Sequence, residues 1–406
     1  MSRLQLFALA ASIVTIAGYT PAAAEKKYGP GVTDTEIKIG NIAPYSGPAS
    51  AFGILARVQD AYFKKINSEG GINGRKIKFI SYDDAYSPPK TVEQARKLVE
   101  SDEVLLIFSP IGTPGNAAIQ KYMNSKKVPQ LFVASGASRW NDPKVFPWSM
   151  GWLPTFEGEA RIYAKYLLTE APTAKIAILY QNDDFGKDYL KGVKVGLAGH
   201  AAMIVAEESY ETSEPTIDSH IVKLKASGAD VLLNFSSPRF AAQAIKKTAE
   251  VGWKPLHVLS LTSHSIDSVI KPAGFENAQN IISAVYLKEP TMPQWTNDAG
   301  VKAFDQFMSA YFTEGNRTDI LAALGYTMAQ ALSEVLRRCG DDVTRENVMA
   351  QAANLKAFAP PMLLPGITVN TSATDFTTIN QFRLMRFKGD NWELFGDVIS
   401  AEPSAR

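Results

Sequence analysis

The sequence predicts an α/β protein built as two doubly wound parallel-sheet lobes joined by a hinge of several strands. Three observations carry that expectation. From Glu36 onward, short β-rich apolar runs alternate with helical patterns, the signature of right-handed βαβ units whose sheet is covered on both faces. The alternation comes twice, in two series each long enough for one domain. A third portion, 299–353, carries apolar residues at helical spacing and no strand, so it packs onto a sheet made elsewhere.

In the first series, strands are expected at 37–43, 77–82, 104–108 and 130–134, separated by helices near 51–67, 90–101 and 116–126. The run 104–108, Val-Leu-Leu-Ile-Phe, has no polar residue, which fits a strand buried on both faces. In the second series, strands at 176–180, 203–206, 231–235 and 256–259 alternate with helices near 156–168, 186–197, 216–226 and 239–251. The joint between the series lies near 152–154. Helices at 301–312, 320–338 and 345–353 return the chain to one lobe, so it crosses the joint again near 283–287. The tail, from Gln381 to Phe395 around Gly389-Asp390-Asn391, alternates and turns as a β-hairpin. These readings assign 34–153 with 284–365 to lobe 1 and 154–283 with 366–400 to lobe 2.

The 406 residues are 46% hydrophobic and 20% charged, ample for large cores. A net charge of +1, with no basic or acidic block, removes the electrostatic case for nucleic acid or a charged membrane surface as partner. Residues 1–24 place Arg3 before an apolar stretch at 6–18 and end in Ala22-Ala23-Ala24, the pattern of a secretory signal cleaved near Ala24. The stretch is shorter than the roughly 20 residues a membrane span needs, so the expected location is the periplasm. Cys339 is the only cysteine, which excludes an intrachain disulfide; near a helix end and without a histidine close by, it reads as a small buried apolar residue.

Loops at strand ends hold the chemical information. Four stand out: 43–53, 109–118 (Ser-Pro-Ile-Gly-Thr-Pro-Gly-Asn-Ala-Ala), 134–138 and 181–186. Three are dominated by small residues, which let backbone amides approach a ligand, and the second opens a helix, where unpaired N–H groups favour an anion. No lysine follows the glycines as a nucleotide-phosphate loop requires, and no G-x-G-x-x-G opens a helix. A carboxylate fits better, since Thr113, Ser135 and neighbouring amides satisfy it without a cation. Asp184-Phe185-Gly186 spells the kinase tripeptide but lacks the rest of that signature. Four irregularly spaced histidines offer no metal site, Asp83-Asp84 reads as solvated caps, and no nucleophile, base and orienting group assemble. Neither a cofactor nor catalysis is expected. Tyr45, Phe52, Trp140, Trp148, Trp152, Phe185 and Phe240 are expected in or beside cleft-facing loops, as walls for a flat or apolar ligand body.

Three segments, Ile37-Lys-Ile-Gly-Asn-Ile-Ala-Pro-Tyr-Ser-Gly47, Ile66-Asn-Ser-Glu-Gly-Gly-Ile-Asn-Gly-Arg75 and Tyr82-Asp-Asp84, resemble the start of periplasmic receptors of the branched-chain amino-acid-binding type, the leucine-binding-protein-like family that feeds ABC importers. The order of elements agrees from about Thr33 to the end. The resemblance implies a type I periplasmic binding protein fold with a three-strand hinge, no catalysis, and an ABC permease in the inner membrane as partner; a monomer is the simplest state. It places the ligand carboxylate on Thr113, Ala134 and Ser135 or Gly136, and aromatic contacts on Phe52 and Phe185. One departure matters. Amino-acid-binding members carry an acidic residue after the second lobe's fourth strand to neutralise the ligand ammonium, whereas 261–266 here has no acid before Asp267. An unpaired buried ammonium costs several kcal/mol. Two ligand classes therefore stand side by side: a branched-chain or other hydrophobic amino acid, and an aromatic or other hydrophobic acid without the amine, its distal polar group held by His264, Ser263 or Ser237. A module signalling to a membrane sensor and an exported hydrolase using Ser135 are the alternatives to transport.

Overall fold

In the computed structural model, which describes residues 26–401, the first series forms a five-stranded parallel sheet. Its strands are β1 (Glu36–Ala43), β2 (Lys76–Asp83), β3 (Leu106–Phe108), β4 (Gln130–Val133) and β5 (Ser149–Gly151), in the order β2-β1-β3-β4-β5. The export signal expected at 1–24 lies outside the described residues. β3 and β4 are buried along their whole length, because helices α1 (Gly53–Ser68), α2 (Pro88–Arg96) and α3 (Thr113–Ser125) cover the sheet. β5 escapes the sequence reading because three residues carry no measurable periodicity.

The second series begins with α4 (Phe156–Glu170) and continues through β6 (Ile176–Gln181), α5 (Asp184–Gly196), β7 (Ile204–Tyr210), α6 (Asp218–Ala226), β8 (Val231–Phe235), α7 (Pro238–Glu250), β9 (Leu256–Leu259) and β10 (Ile282–Val285). The kinase-like tripeptide is simply the first turn of α5. Asp183 caps it, accepting from the backbone N–H groups of Phe185 and Gly186. After α8 (Ala299–Tyr311), α9 (Ile320–Cys339) and α10 (Arg345–Ala352), the chain ends in β11 (Gln381–Lys388) and β12 (Asn391–Ser400). The second sheet runs β12-β11-β10-β9-β8-β6-β7, parallel from β6 to β10, with the expected hairpin as an antiparallel edge.

The helical portion completes the first sheet, not the second. Tyr62 of α1 meets Phe307 of α8 and Tyr326 of α9 edge-on, with ring centroids 5.8 and 5.4 Å apart, and Arg345 donates to the carbonyls of Val104 and Leu105 at 2.8 and 2.9 Å. Cys339, at the end of α9, is buried and free. Strand-like segments at the joint are tied to each other: the Thr378 hydroxyl donates to the Trp152 carbonyl at 2.6 Å, and Leu364 N–H to that of Tyr286 at 2.9 Å. Among the described residues, no helix is long and apolar enough to cross a membrane.

Candidate functional site

Segments that follow β1 to β6 and β8 to β10, with the first turns of α9, converge on one cavity of about 740 Å3, a volume that includes its opening to solvent. Its walls are apolar. Among the described residues no Asp, Glu, Lys or Arg lines it, and burial lowers the pKa of His264, the imidazole in its lining, to about 4, so that ring is neutral near pH 7.

The polar corner on the first sheet is built by Thr113 and Ser135, each 2% exposed, whose hydroxyl oxygens are 2.7 Å apart. The direction of that bond follows from its neighbours. Ser135 Oγ already accepts from the Trp140 indole N–H at 2.9 Å and from the Ala137 N–H at 3.2 Å, which uses both lone pairs. Ser135 must therefore donate to Thr113 Oγ1, and the Thr113 proton is left to donate elsewhere. Thr113 is also the first residue of α3, where the N–H groups of the opening turn have no intrahelical acceptor. A spare hydroxyl proton and a helix N-terminus at one corner make a site for an anion.

Local backbone chemistry sets this corner. Gly112, just before α3, takes φ +92°, and a Cβ there would lie 2.3 Å from the ring of Tyr86. Tyr86, at φ +60°, lies in a left-handed turn. Asp84 holds that turn by accepting from Tyr86 N–H at 2.9 Å and the Thr91 hydroxyl at 2.7 Å, while Asp83 accepts from Tyr45, Ser46 and Ala85 N–H. The two aspartates thus aim a cleft tyrosine; burial raises the Asp84 pKa.

On the second sheet, the wall 261–264 is held from behind by Glu159, which accepts from Tyr163 and Tyr189 hydroxyls at 2.7 and 2.5 Å and from Leu261 N–H at 2.8 Å. Burial raises its pKa to about 7. Tyr163 also accepts from Ala284 N–H in β10 at 2.9 Å, tying the wall to the joint. The two sides of the cleft touch: Ser138 N–H donates to Asp188 at 2.7 Å, and Arg139 pairs with Asp184 at 2.6 Å.

Of the residues expected at the ligand, Phe52, Thr113, Ala134, Ser135, Phe185, Ser237 and His264 line the cavity. Three do not. Tyr45 is drawn away because its N–H is bound to Asp83 and its hydroxyl to Ser81 at 2.6 Å; its ring lies under Arg57 in a separate surface hollow. Gly136 packs against the neck of the joint, where a Cβ would be 2.2 Å from the Pro154 carbonyl. Ser263 is buried and donates to the Ser236 carbonyl. The amides expected to help are also committed: Ala134 N–H donates to Pro110 and Ser135 N–H to Val133. Trp140, Trp152 and Phe240 are core residues, Trp140 serving as the donor to Ser135, and Trp148 is half-buried beside that core. Sequence reasoning missed Tyr86, whose signal was Asp83-Asp84 before a turn. It also missed Ile320, Leu321 and Leu324, whose helical spacing announces burial but not against what.

The family profile described as periplasmic binding protein matches residues 36–391. The chain is 22% identical over 388 residues to the Leu/Ile/Val-binding protein homolog 7 of Brucella abortus, covering 93% of this chain and 94% of that protein. Among solved structures it is similar to a branched-chain amino acid ABC transporter protein from Thermus thermophilus with bound valine (TM-score 0.82, 16% identity, 91% and 97% of the two chains). It is likewise similar to an ABC transporter solute-binding protein from R. palustris in complex with benzoate (TM-score 0.75, 20% identity, 91% and 97%).

Proposed function

This chain belongs to the periplasmic binding protein family, in its type I, leucine-binding-protein-like branch, and from that premise we propose that it is an exported receptor which closes on an apolar monocarboxylate lacking an α-amine and presents it to an ABC importer. As a family member it is a small-molecule receptor of the ABC-transporter type. The observation that carries the ligand class is the contrast within the cavity: a spare Thr113 proton at the start of α3 suits a carboxylate, while no acidic side chain lines the walls to neutralise an ammonium. Rings of Phe52, Tyr86, Phe156 and Phe185 favour an aromatic body, and the benzoate complex of a structural neighbour is in keeping with that.

Closure supplies the signal. A ligand that touches both sides binds the closed form better than the open one and shifts the population toward it. The chain acts as a monomer made with the export signal at 1–24, and bond-making is not asked of it; Ser135, the residue a hydrolase would use, has both lone pairs engaged. Calorimetric titration with benzoate, octanoate and leucine tests the reading. An aromatic or aliphatic acid should bind and leucine should not; tight leucine binding with no binding of either acid overturns it.

A further inference from the structure

Two side chains that line the cavity hold buried polar atoms with no partner among the described residues: both ring nitrogens of His264 and the hydroxyl of Tyr286. Behind His264 sits Glu289, 1% exposed, whose Oε2 is also unpartnered and lies 3.9 Å from His264 Nε2. The imidazole is fixed in place. Trp392 donates its indole N–H to the His264 carbonyl at 3.0 Å and stands edge-on to the ring. A buried donor or acceptor left unpaired costs about 1–3 kcal/mol, and native folds carry few of them. Several unpaired groups at one wall of a ligand cavity therefore call for a partner that arrives with the ligand.

We infer that His264, backed by Glu289, recognises a hydroxyl on the part of the ligand remote from its carboxylate, so that the cleft selects hydroxylated aromatic monocarboxylates over unsubstituted ones; this rests on the carboxylate reading above. Glu289 stands 3.9 Å from Nε2, beyond hydrogen-bond reach. A neutral imidazole carries a hydrogen on one nitrogen and leaves the other bare, so the nitrogen that meets the ligand needs either an acceptor or a donor. A hydroxyl satisfies both arrangements. A carbonyl satisfies only the first, and an ammonium only the second. A second carboxylate finds no cation there, since burial keeps His264 neutral and also raises the Glu289 pKa. Tyr286, just after β10, lines the same cavity with an unpartnered hydroxyl of its own.

The test compares benzoate, 3-hydroxybenzoate and 4-hydroxybenzoate by calorimetry on the full-length protein and on His264→Phe and Glu289→Gln. In the unaltered protein at least one hydroxy isomer should bind tenfold or more tightly than benzoate. In His264→Phe that ratio should fall to near one, and Glu289→Gln should lower it in part. Equal binding of all three acids to the unaltered protein, or a ratio that survives in His264→Phe, overturns the inference and leaves the carboxylate reading standing. Failure of all three acids to bind overturns the inference, and failure of octanoate as well overturns the carboxylate reading. The comparison in the unaltered protein needs no variant, so a variant that fails to fold does not blunt the test.

Discussion

On the first sheet's side of the cleft, Ser135 has every hydrogen bond satisfied inside the protein and donates to Thr113, whose own proton is left spare, whereas on the second sheet's side neither ring nitrogen of His264 has a hydrogen-bond partner among the described residues. Ser135 is saturated before a ligand arrives; the second corner is completed by it. In energetic terms the first corner contributes to the stability of the empty protein, and the second detracts from it until it is filled. A receptor that must answer to a ligand gains from this asymmetry, because the stabilisation released at the second corner appears only in the occupied, closed form.

The comparison can be broken at several points, and the wall behind the second corner gives the largest effect. The Glu159 carboxyl titrates near 4.5 in the unfolded chain and about 7 in the folded one. Between those values the unfolded chain has lost a proton that the folded chain still holds, so this group's contribution to stability falls as pH rises from 4.5 to 7 and is level above that. The size is on the order of 3 kcal/mol. Melting curves at pH 4.5 and 7.5 should show Glu159→Gln losing less stability across the interval than the unaltered protein. Equal losses in both would mean that Glu159 does not titrate there.

Next is Ser135→Ala, which strips the Trp140 indole and the Ala137 amide of their acceptor. The empty protein should lose about 1–3 kcal/mol, measured by denaturant unfolding. His264→Phe should move the same measurement by less than about 1 kcal/mol, or upward, since it removes a buried group with nothing to pair with. A large loss there, or none in Ser135→Ala, would abolish the distinction between the corners. Thr113→Val sharpens it from the ligand side: carboxylate affinity should weaken by about 1–3 kcal/mol in calorimetry, and an unchanged dissociation constant would remove that hydroxyl from the site. The smallest effect belongs to Asp184→Asn. The aspartate is exposed and its partner Arg139 partly so, so unfolding should shift by no more than about 1 kcal/mol; a greater loss would place the rim ion pair among the main supports of closure.

How far the sequence could be read follows the same physical divide. Strands 231–235 and 256–259 were legible to the residue, because burial on both faces writes a run that is apolar but for a single residue, Asn234 in one and His257 in the other. Thr113 and Ser135 were legible because small and hydroxyl residues between strand and helix have few other uses. Tyr45 was not, since the decision between cleft and outer surface lies with Asp83, which belongs to the next strand and pins the loop through hydrogen bonds no spacing reveals. Ile320 and Leu324 read as core because periodicity reports a buried face and is silent about whether that face meets a helix or an empty cavity. Glu289, outside every loop singled out, had no local signal whatever; its importance arises from a neighbour 25 residues away in sequence.

The packing of α1 against α8 and α9 sets the timetable by which this molecule is made. Tyr62 waits for Phe307 and Tyr326, and the backbone of 104–105 for Arg345. A chain emerging from the ribosome therefore carries the outer side of α1 bare until the last quarter has been synthesised, and sequence-distant contacts of this kind form late. Neither half is finished early: the first waits for the helices at 299–352 and the second for the hairpin at 381–400.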